Sequence, residues 1–252
     1  MPIILNGERK KLSKRDGATA VSEYRALGYL PEALRNFLVL LGWSPGQDRE
    51  VMTLEEMIES FSLERVQRHG AVFDAVKLRW MNGEYLRRVA IDEVVDSLEA
   101  LARERPERES MRYDRDHLRA VAVVVRERVK RLGEILDLEY FFSKAVVIPW
   151  DAEAVAKGAG SLSARAHLAA LRGVLAAVER FTRAEIEVAL RAFATERGVK
   201  AGEYIAPLRV ALTGAAVSPG IFEVCEVLGH EVVVGRIDAF LREYPSENEI
   251  RS

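Results

Sequence analysis

Hydrophobic positions recur with helical spacing along nearly the whole chain. Between residues 31 and 42, four apolar side chains occur at i, i+3, i+4 and i+7 and so share one helical face: Leu34, Phe37, Leu38 and Leu41. Pro31 suits the first helical turn, because the N–H that proline lacks has no partner there, and Gly42 suits a left-handed helix end. The pattern therefore predicts an amphipathic helix over residues 31–42.

Two further helix starts are marked by capping boxes, in which a threonine and a glutamate three residues later each bond to the other's backbone N–H. They are Thr53 with Glu56, and Thr182 with Glu185. Apolar residues follow both boxes, namely Met57, Ile58 and Phe61 after the first and Ile186, Leu190 and Phe193 after the second. Each box predicts a helix of its own.

Near the C-terminus, Ser218 followed by Pro219 predicts an N-cap and a first helical residue, with the helix running to Gly229. Alternation with a period of two, which is typical of strands, is scarce and is confined to short stretches such as Ile3–Leu5. We therefore predict a mostly α fold.

Two interruptions of the helical pattern predict boundaries. Residues 102–116 carry charges of both signs with almost no apolar anchor, and a Pro-Trp pair interrupts the pattern at Ile148–Asp151. We therefore divide the chain into three segments, residues 1–90, 91–149 and 150–252.

The composition is that of a globular protein. Of 252 residues, 49% are hydrophobic and 30% are charged, which excludes a wholly disordered chain. The single cysteine, Cys225, excludes an intramolecular disulfide and a zinc site built from cysteines. No apolar run approaches the roughly 20 residues of a membrane span, and no basic-then-apolar leader opens the chain. We expect a cytoplasmic protein with no membrane partner and no metal site.

The net charge of −2 argues against a protein that coats nucleic acid indiscriminately, because such proteins are usually strongly basic. Residues 103–131 differ from this average, since ten Lys and Arg stand against six acidic residues. A local patch of this kind can neutralise phosphates. The alternative is a solvated helix whose alternating charges pair with one another.

A second basic stretch lies in the glycine-bounded residues 6–17, where four cations accompany Ser13: Lys10, Lys11, Lys14 and Arg15. Ammonium and guanidinium groups on such a loop can neutralise a phosphate. On charge alone, such a short basic stretch is more typical of a solvated loop.

The order of residues here, Lys11-Leu12-Ser13-Lys14-Arg15 before Asp16-Gly17, resembles the second signature of the class I aminoacyl-tRNA synthetases. It is most similar to the K-[LMI]-S-K-R form that is typical of glutamyl-tRNA synthetase. The resemblance implies a loop that closes over ATP, bound with Mg²⁺ in the full-length enzyme. Lys14 would be the catalytic residue, stabilising the phosphates as the aminoacyl-adenylate forms, and Lys11, Ser13 and Arg15 would bind ATP beside it.

Three more stretches resemble the same family in the same order, namely residues 30–44, 73–82 and 207–223. The resemblance implies a stem-contact helical unit in the first segment, followed by two helical anticodon-binding subdomains in the second and third. In the stem-contact unit, Lys77 and Arg79 would contact the tRNA backbone, whereas Phe73 and Trp80 would lie in the core.

Residues 126–132 resemble the first anticodon-binding helix of the family, in which an arginine inspects the first anticodon base. A guanidinium fork suits this task because it demands acceptors at a fixed spacing. We favour Arg128, then Arg131, then Arg126 for this role.

A second set of anticodon contacts is implied near the C-terminus. Arg209 would face another base, together with Ser218 and Pro219 at a helix N-terminus, whose unpaired N–H groups suit carbonyl or phosphate oxygens. Pro219 and Ile221 would add rigid apolar surface on which a base can lie.

The first signature of class I synthetases, a His-Ile-Gly-His type element, is absent from the sequence, and the four histidines are isolated from one another. The ATP and glutamate pockets are therefore expected in a missing N-terminal catalytic domain. The chain would be the C-terminal part of an enzyme that activates glutamate with ATP and transfers it to tRNA(Glu). The same enzyme could also transfer glutamate to tRNA(Gln). Alone it is expected to be an inactive monomer without a cofactor.

Two other interpretations stay open. The chain could be a free-standing, catalytically silent module that binds tRNA or another RNA, or has a regulatory role. It could also be a helical scaffold with no nucleic-acid ligand. Only the last predicts that no salt-sensitive tRNA binding occurs.

Overall fold

A computed structural model describes residues 3–13, 20–46, 49–67, 69–105 and 111–244. Within these ranges the chain forms fourteen α-helices and one two-stranded sheet, which confirms the predicted helical class. Its contacts divide it into two compact units. Unit 1 comprises Met1–Arg105 and Val125–Asp137, and unit 2 comprises Pro106–Val124 and Leu138–Ser252. The division into three segments stays a prediction.

The elements follow one another along the chain as follows: β1 Ile4–Leu5, α1 Val21–Ala26, α2 Pro31–Gly42, α3 Leu54–Ser60, a 3₁₀ turn at Leu63–Arg65, β2 Ala71–Val72, α4 Ala75–Arg88, α5 Ile91–Arg103, α6 Arg115–Val125, α7 Leu132–Leu136, α8 Glu139–Phe142, α9 Ala152–Gly158, α10 Leu162–Ala176, α11 Arg183–Glu196, α12 Ala201–Thr213, α13 Ile221–Leu228 and α14 His230–Glu243. The strands β1 and β2 are parallel, with Ile4 opposite Ala71, so the predicted strand at Ile3–Leu5 is confirmed. No helix in the described part of the chain is long and apolar enough to cross a membrane.

The helix predicted over residues 31–42 is confirmed as α2, with Pro31 at its first turn. Its buried face is shifted from the predicted one. Leu34 and Phe37 are buried, but Leu38 is 43% exposed, and Asn36 is fully buried in its place. The shift arises because α4 packs against α2 and accepts the polar Asn36 into the interface.

The prediction of a left-handed stop at Gly42 is wrong. Gly42 is the last helical residue, and Trp43 leaves the helix in an extended conformation with φ −149°. The extended exit carries the Trp43 indole into a cluster with Met52 and Met57, where it is 2% exposed. Burial of this large side chain therefore decides how the helix ends.

The first capping box is confirmed, because the Glu56 N–H donates to Thr53 Oγ1 at 3.2 Å and the Thr53 N–H donates to Glu56 Oε2 at 2.9 Å. The second is only half formed. Thr182 Oγ1 accepts the Glu185 N–H at 3.4 Å, but the Glu185 carboxylate pairs with Arg180 instead. The Thr182 N–H donates to the Arg180 carbonyl at 2.8 Å, so it is satisfied without the Glu185 carboxylate.

In unit 2, α10 packs against α11, α12 and α14, and the fully buried side chains include Leu168, Leu208 and Phe240. The chain between α8 and α9 is not helical, as the Pro149-Trp150 pair predicts. The segment between α12 and α13 thus connects two helices of this packed unit.

The predicted start of α13 is wrong by two residues, although its predicted end at Gly229 is confirmed. Gly220 occupies the N-cap, and the helix begins at Ile221. Ser218 does not cap, because its hydroxyl accepts from Arg209 Nε at 3.1 Å and donates to the Pro219 carbonyl at 2.8 Å. A tertiary bond to α12 therefore replaces the local cap.

His117 on α6 predicts a dependence of stability on pH. It is 4% exposed, and its Nε2 lies 2.7 Å from the carbonyl oxygen of Phe141. Burial lowers the pKa of His117, so the unfolded chain binds a proton more readily than the folded chain does. The free energy of unfolding is therefore expected to fall as the pH drops below about 6.5.

Chemical denaturation between about pH 7.5 and pH 5 measures this effect. The variant His117→Gln keeps a side-chain amide near the Phe141 carbonyl but does not titrate, so its curve should be flatter than that of the wild type. An unchanged slope in His117→Gln would show that other groups carry the pH dependence.

Candidate nucleic-acid interface

The loop with the synthetase-like signature is described only up to Ser13. Lys11 and Ser13 are exposed, and the Leu12 N–H donates to the Ile4 carbonyl at 3.0 Å. This places the start of the loop beside β1. Lys14 and Arg15 lie outside the described residues.

The two candidate stem contacts lie on α4 and are both ion-paired. Lys77 Nζ is 2.6 Å from Glu50 Oε1, and Arg79 Nη2 is 2.9 Å from Glu134 Oε1. Both cations stay partly exposed, at 36% and 54% of their side chains respectively. An RNA phosphate would therefore compete with a carboxylate for each of them.

The aromatic residues of this motif divide between core and surface. Phe73 is half-buried, with its ring centroid 4.9 Å from that of Phe37 and 5.9 Å from that of Tyr24. Trp80 is 39% exposed, so the expectation that it lies in the core is wrong. Phe73 precedes Asp74, the N-cap of α4, and so lies outside the helix that carries Trp80.

Residues 126–131, which we call the arginine turn, connect α6 to α7. They are not helical, so the anticodon-binding helix expected over residues 126–132 is replaced by a turn followed by α7. The backbone of the turn is fixed because the Lys130 N–H donates to Glu134 Oε2 at 2.9 Å, and the Leu132 N–H donates to the Gly28 carbonyl at 3.0 Å.

The three arginines of the turn differ in what they contact. Arg131 Nε donates to Glu134 Oε1 at 3.0 Å, and its guanidinium lies 6.0 Å from the ring centroid of Tyr29. Arg126 Nη1 donates to the Val89 carbonyl at 3.4 Å, and its Nε is 3.7 Å from Glu127 Oε1. Arg128 is exposed, and its guanidinium makes no hydrogen bond or ion pair with any residue that the structure describes.

Glu134 holds Arg131 and Arg79 at once. Burial alone would raise the pKa of Glu134, but the Lys130 N–H and the two guanidiniums outweigh it, so the pKa lies below its usual value. The carboxylate is therefore ionised at neutral pH and neutralises both arginines in part. Arg128 is left as the arginine of the turn that can bind a ligand without first breaking an ion pair.

Arg209, on α12, is half-buried and is oriented by its bond from Nε to Ser218 Oγ at 3.1 Å. Its two terminal nitrogens make no hydrogen bond with a described residue, so these two nitrogens of the guanidinium are available to a ligand. Pro219 is buried, and Ile221 is 3% exposed, so neither presents the apolar surface expected for a base. Val217, which is 84% exposed, does present apolar surface in the same loop.

Sequence reasoning missed Val217. The signal was present, since an apolar residue directly before Ser218 in a loop has no helical face to join. It was weak because a single exposed valine is common on protein surfaces.

The α12–α13 loop, residues 214–220, is fixed at its start by the carbonyl groups at the C-terminus of α12. A helix leaves its last four carbonyls without intrahelical partners. Here the Val210 carbonyl accepts the Gly214 N–H at 2.9 Å, and the Ala211 carbonyl accepts Trp150 Nε1 at 3.2 Å. The Leu212 carbonyl accepts Arg236 Nη1 at 2.7 Å.

Arg236 is fully buried, and burial lowers its pKa to about 10. It is still protonated at neutral pH, where its positive charge meets the negative end of the α12 dipole. Sequence reasoning missed this residue too, because nothing in its neighbourhood along the chain indicates that an arginine of α14 is buried against α12.

Other chemistry is not apparent in the described ranges. No group of three or more His, Cys, Asp or Glu side chains there could hold a metal ion. The thiol of Cys225 is fully buried, and burial raises its pKa, so it is not a reactive nucleophile.

Two family models match the chain. Residues 1–80 match "tRNA synthetases class I (E and Q), catalytic domain", and residues 85–241 match "Anticodon binding domain". Among curated proteins, the chain is 41% identical over 250 residues to the glutamate–tRNA ligase of Moorella thermoacetica, covering 96% of this chain and 50% of that protein. It is 40% identical over 244 residues to a glutamate–tRNA ligase of Thermus thermophilus, with the same coverage of 96% and 50%.

Among solved structures, the chain is similar to a glutamate tRNA ligase from Elizabethkingia meningosepticum, with a TM-score of 0.82 and 27% identity. The match covers 95% of this chain and 50% of that one. The chain thus spans about half the length of the curated relatives it matches. The anticodon-binding model alone covers more than half of the chain, and the resemblance to glutamyl-tRNA synthetase extends over nearly all of it. The chain therefore belongs to the family of anticodon-binding domains, in the form found in glutamate–tRNA ligases.

Proposed function

We propose that this chain is the tRNA-binding, anticodon-reading portion of a glutamate–tRNA ligase. The observation that carries the proposal is Arg128, an exposed guanidinium without a described partner on a turn whose backbone is fixed. RNA-binding proteins usually read sequence at unstacked loop bases, and the anticodon loop supplies such bases.

Arg128 is proposed to read the first anticodon base. A guanidinium offers donors at a fixed spacing, so it accepts a base edge with matching acceptors and opposes one without them. Arg131 and Arg126 are secondary candidates, because Glu134 and the Val89 carbonyl already engage them. Whether the enzyme serves tRNA(Glu) alone or tRNA(Gln) as well would depend on this contact.

Arg209 is proposed to read a second anticodon base. Its Nε is held by Ser218, which leaves the two terminal nitrogens directed by a fixed side chain. Val217 supplies the apolar contact beside it. Ser218 acts by orienting Arg209, whereas Pro219 and Ile221 act from the interior by supporting the loop.

The activity of the whole enzyme is also part of the proposal. It would join glutamate to ATP, bound with Mg²⁺, and transfer the acyl group to the tRNA. Lys11 and Ser13 are exposed and so fit a phosphate contact, and Lys14 and Arg15 would complete the ATP loop. Lys77 and Arg79 would contact the tRNA backbone. A catalytic domain would be joined covalently to this chain, and the whole enzyme would be a cytoplasmic monomer.

Replacing Arg128 with alanine is expected to weaken tRNA(Glu) binding at least about fivefold, which corresponds to ~1 kcal/mol for one base contact. The preference for the cognate first anticodon base should fall with it. Arg131→Ala, which removes the same charge from the same turn but from a side chain that Glu134 already holds, ranks the two candidates and should cost less affinity than Arg128→Ala.

Filter binding at two salt concentrations measures the affinity for tRNA(Glu) and the preference for the cognate first anticodon base. It uses tRNA(Glu) and a transcript changed at that base. Equal binding of the two transcripts by the wild type would contradict anticodon reading. An affinity that does not fall with salt would favour the helical scaffold.

A further inference from the structure

Asn82, on α4, connects three separate segments of unit 1 through one buried carboxamide. The side chain is fully buried. Its Oδ1 accepts the Leu30 N–H at 2.8 Å, and its Nδ2 donates to the Lys130 carbonyl at 2.6 Å. Leu30 is the N-cap of α2 and Lys130 belongs to the arginine turn, so one side chain joins α4, the start of α2 and the turn.

The arginine turn depends on bonds of this kind, because it lies between two helices and has no ladder of its own. Lys130 is held on both sides of its backbone, with its N–H bound by Glu134 and its carbonyl bound by Asn82. Glu134 lies on α7 and so follows the turn in the chain. Asn82 is 48 positions away from Lys130 and fixes the turn to a different helix.

The contact between α4 and the turn is also close. A Cβ added at Gly83 would lie 2.5 Å from Lys130 Cδ, so the backbone of α4 and the side chain of Lys130 touch directly. A shift of the turn along α4 would therefore break the Asn82 bond and this packing together.

We propose that Asn82 is a positioning residue for anticodon reading: it sets the register of the arginine turn on α4 and thereby the place at which Arg128 is presented to a base. This inference rests on the proposed function. An asparagine suits the task because it supplies one acceptor and one donor from a single short side chain. An ionised aspartate retains the acceptor for Leu30 but loses the donor for Lys130, and alanine supplies neither.

The chain offers a matched control in Asn36. It too is fully buried in unit 1, and its Oδ1 accepts the Met52 N–H at 2.8 Å and the Tyr85 hydroxyl at 2.7 Å. Both of these partners lie outside the arginine turn. Asn36→Ala should therefore destabilise the fold in a similar way to Asn82→Ala without moving Arg128.

The experiment uses the full chain as wild type, Asn82→Ala, Asn82→Asp and Asn36→Ala, each at a temperature where circular dichroism shows it folded. The measured quantity is the ratio of affinities for tRNA(Glu) and for a transcript changed at the first anticodon base. We expect Asn82→Ala and Asn82→Asp to lower this ratio to about the value of Arg128→Ala, and Asn36→Ala to keep the ratio of the wild type. If Asn82→Ala does not fold, a further variant, Asn82→Leu, decides, because leucine fills nearly the same space and supplies neither the acceptor nor the donor.

Three outcomes are informative against the proposals. A folded Asn82 variant with the wild-type ratio overturns the positioning role, and so does an equal loss of the ratio in Asn36→Ala. A wild type that does not distinguish the two transcripts contradicts the proposed function itself. The failure of the proposed function is therefore recognised in the wild type alone, before any variant is compared.

Discussion

Replacing Gly214 with alanine is expected to lower the free energy of unfolding by about 3 kcal/mol. Gly214 caps α12 with φ +70°, where a residue with a side chain is strained by about 1–2 kcal/mol. In addition, a Cβ at this position would overlap the Pro149 carbonyl oxygen. The Pro149-Trp150 segment would have to move, and the bond from Trp150 Nε1 to the Ala211 carbonyl would be lost with it.

Gly198 provides the control for this prediction. It also has a positive φ, +65°, but a Cβ there would meet nothing within 4 Å. Gly198→Ala should therefore cost only the conformational strain of about 1–2 kcal/mol. Urea denaturation of both variants measures the difference, and equal losses would show that the close approach to Pro149 contributes nothing.

Replacing Arg209 with alanine is expected to weaken tRNA(Glu) binding about 10- to 100-fold, or ~1.4–2.7 kcal/mol. The effect should exceed that of Arg128→Ala, because Arg209 is half-buried and held by Ser218, and a preordered, partly desolvated contact is stronger than an exposed one. The thermal stability should change little, since Arg209 makes one side-chain hydrogen bond with a described residue.

The control is Arg180→Ala in the same unit, which removes one positive charge from a side chain that is 81% exposed and paired with Glu185. Filter binding with tRNA(Glu) measures both variants under the same salt. If Arg180→Ala lost as much affinity as Arg209→Ala, the contribution of Arg209 would be general charge and not a placed contact.

The two predictions concern one piece of structure, since Gly214 and Arg236 fix the start of the loop that carries Val217 and Ser218. A change at Gly214 should therefore also weaken the contact of Arg209. This makes unit 2 an example in which the cap of a helix and a candidate binding residue depend on the same tertiary bonds.

The amino-acid sequence by itself determined the features that depend on neighbours a few positions away. The helical period predicted α2, the Thr53–Glu56 box predicted the start of α3, and the order of the synthetase-like motifs predicted the family. Each of these rests on interactions within about one helical turn or on the residue order itself.

Only the tertiary structure decided which candidate side chains are available to a ligand. Arg79 and Arg128 are equivalent in a list of charges, and they differ because Glu134, 55 positions away from Arg79, holds Arg79 and not Arg128. Ile221 is buried and Val217 is exposed, although both are apolar and only four positions apart. Asn82 bonds to Lys130 across 48 positions. Burial and pairing are set by residues far away in the chain, and local patterns carry no information about those partners.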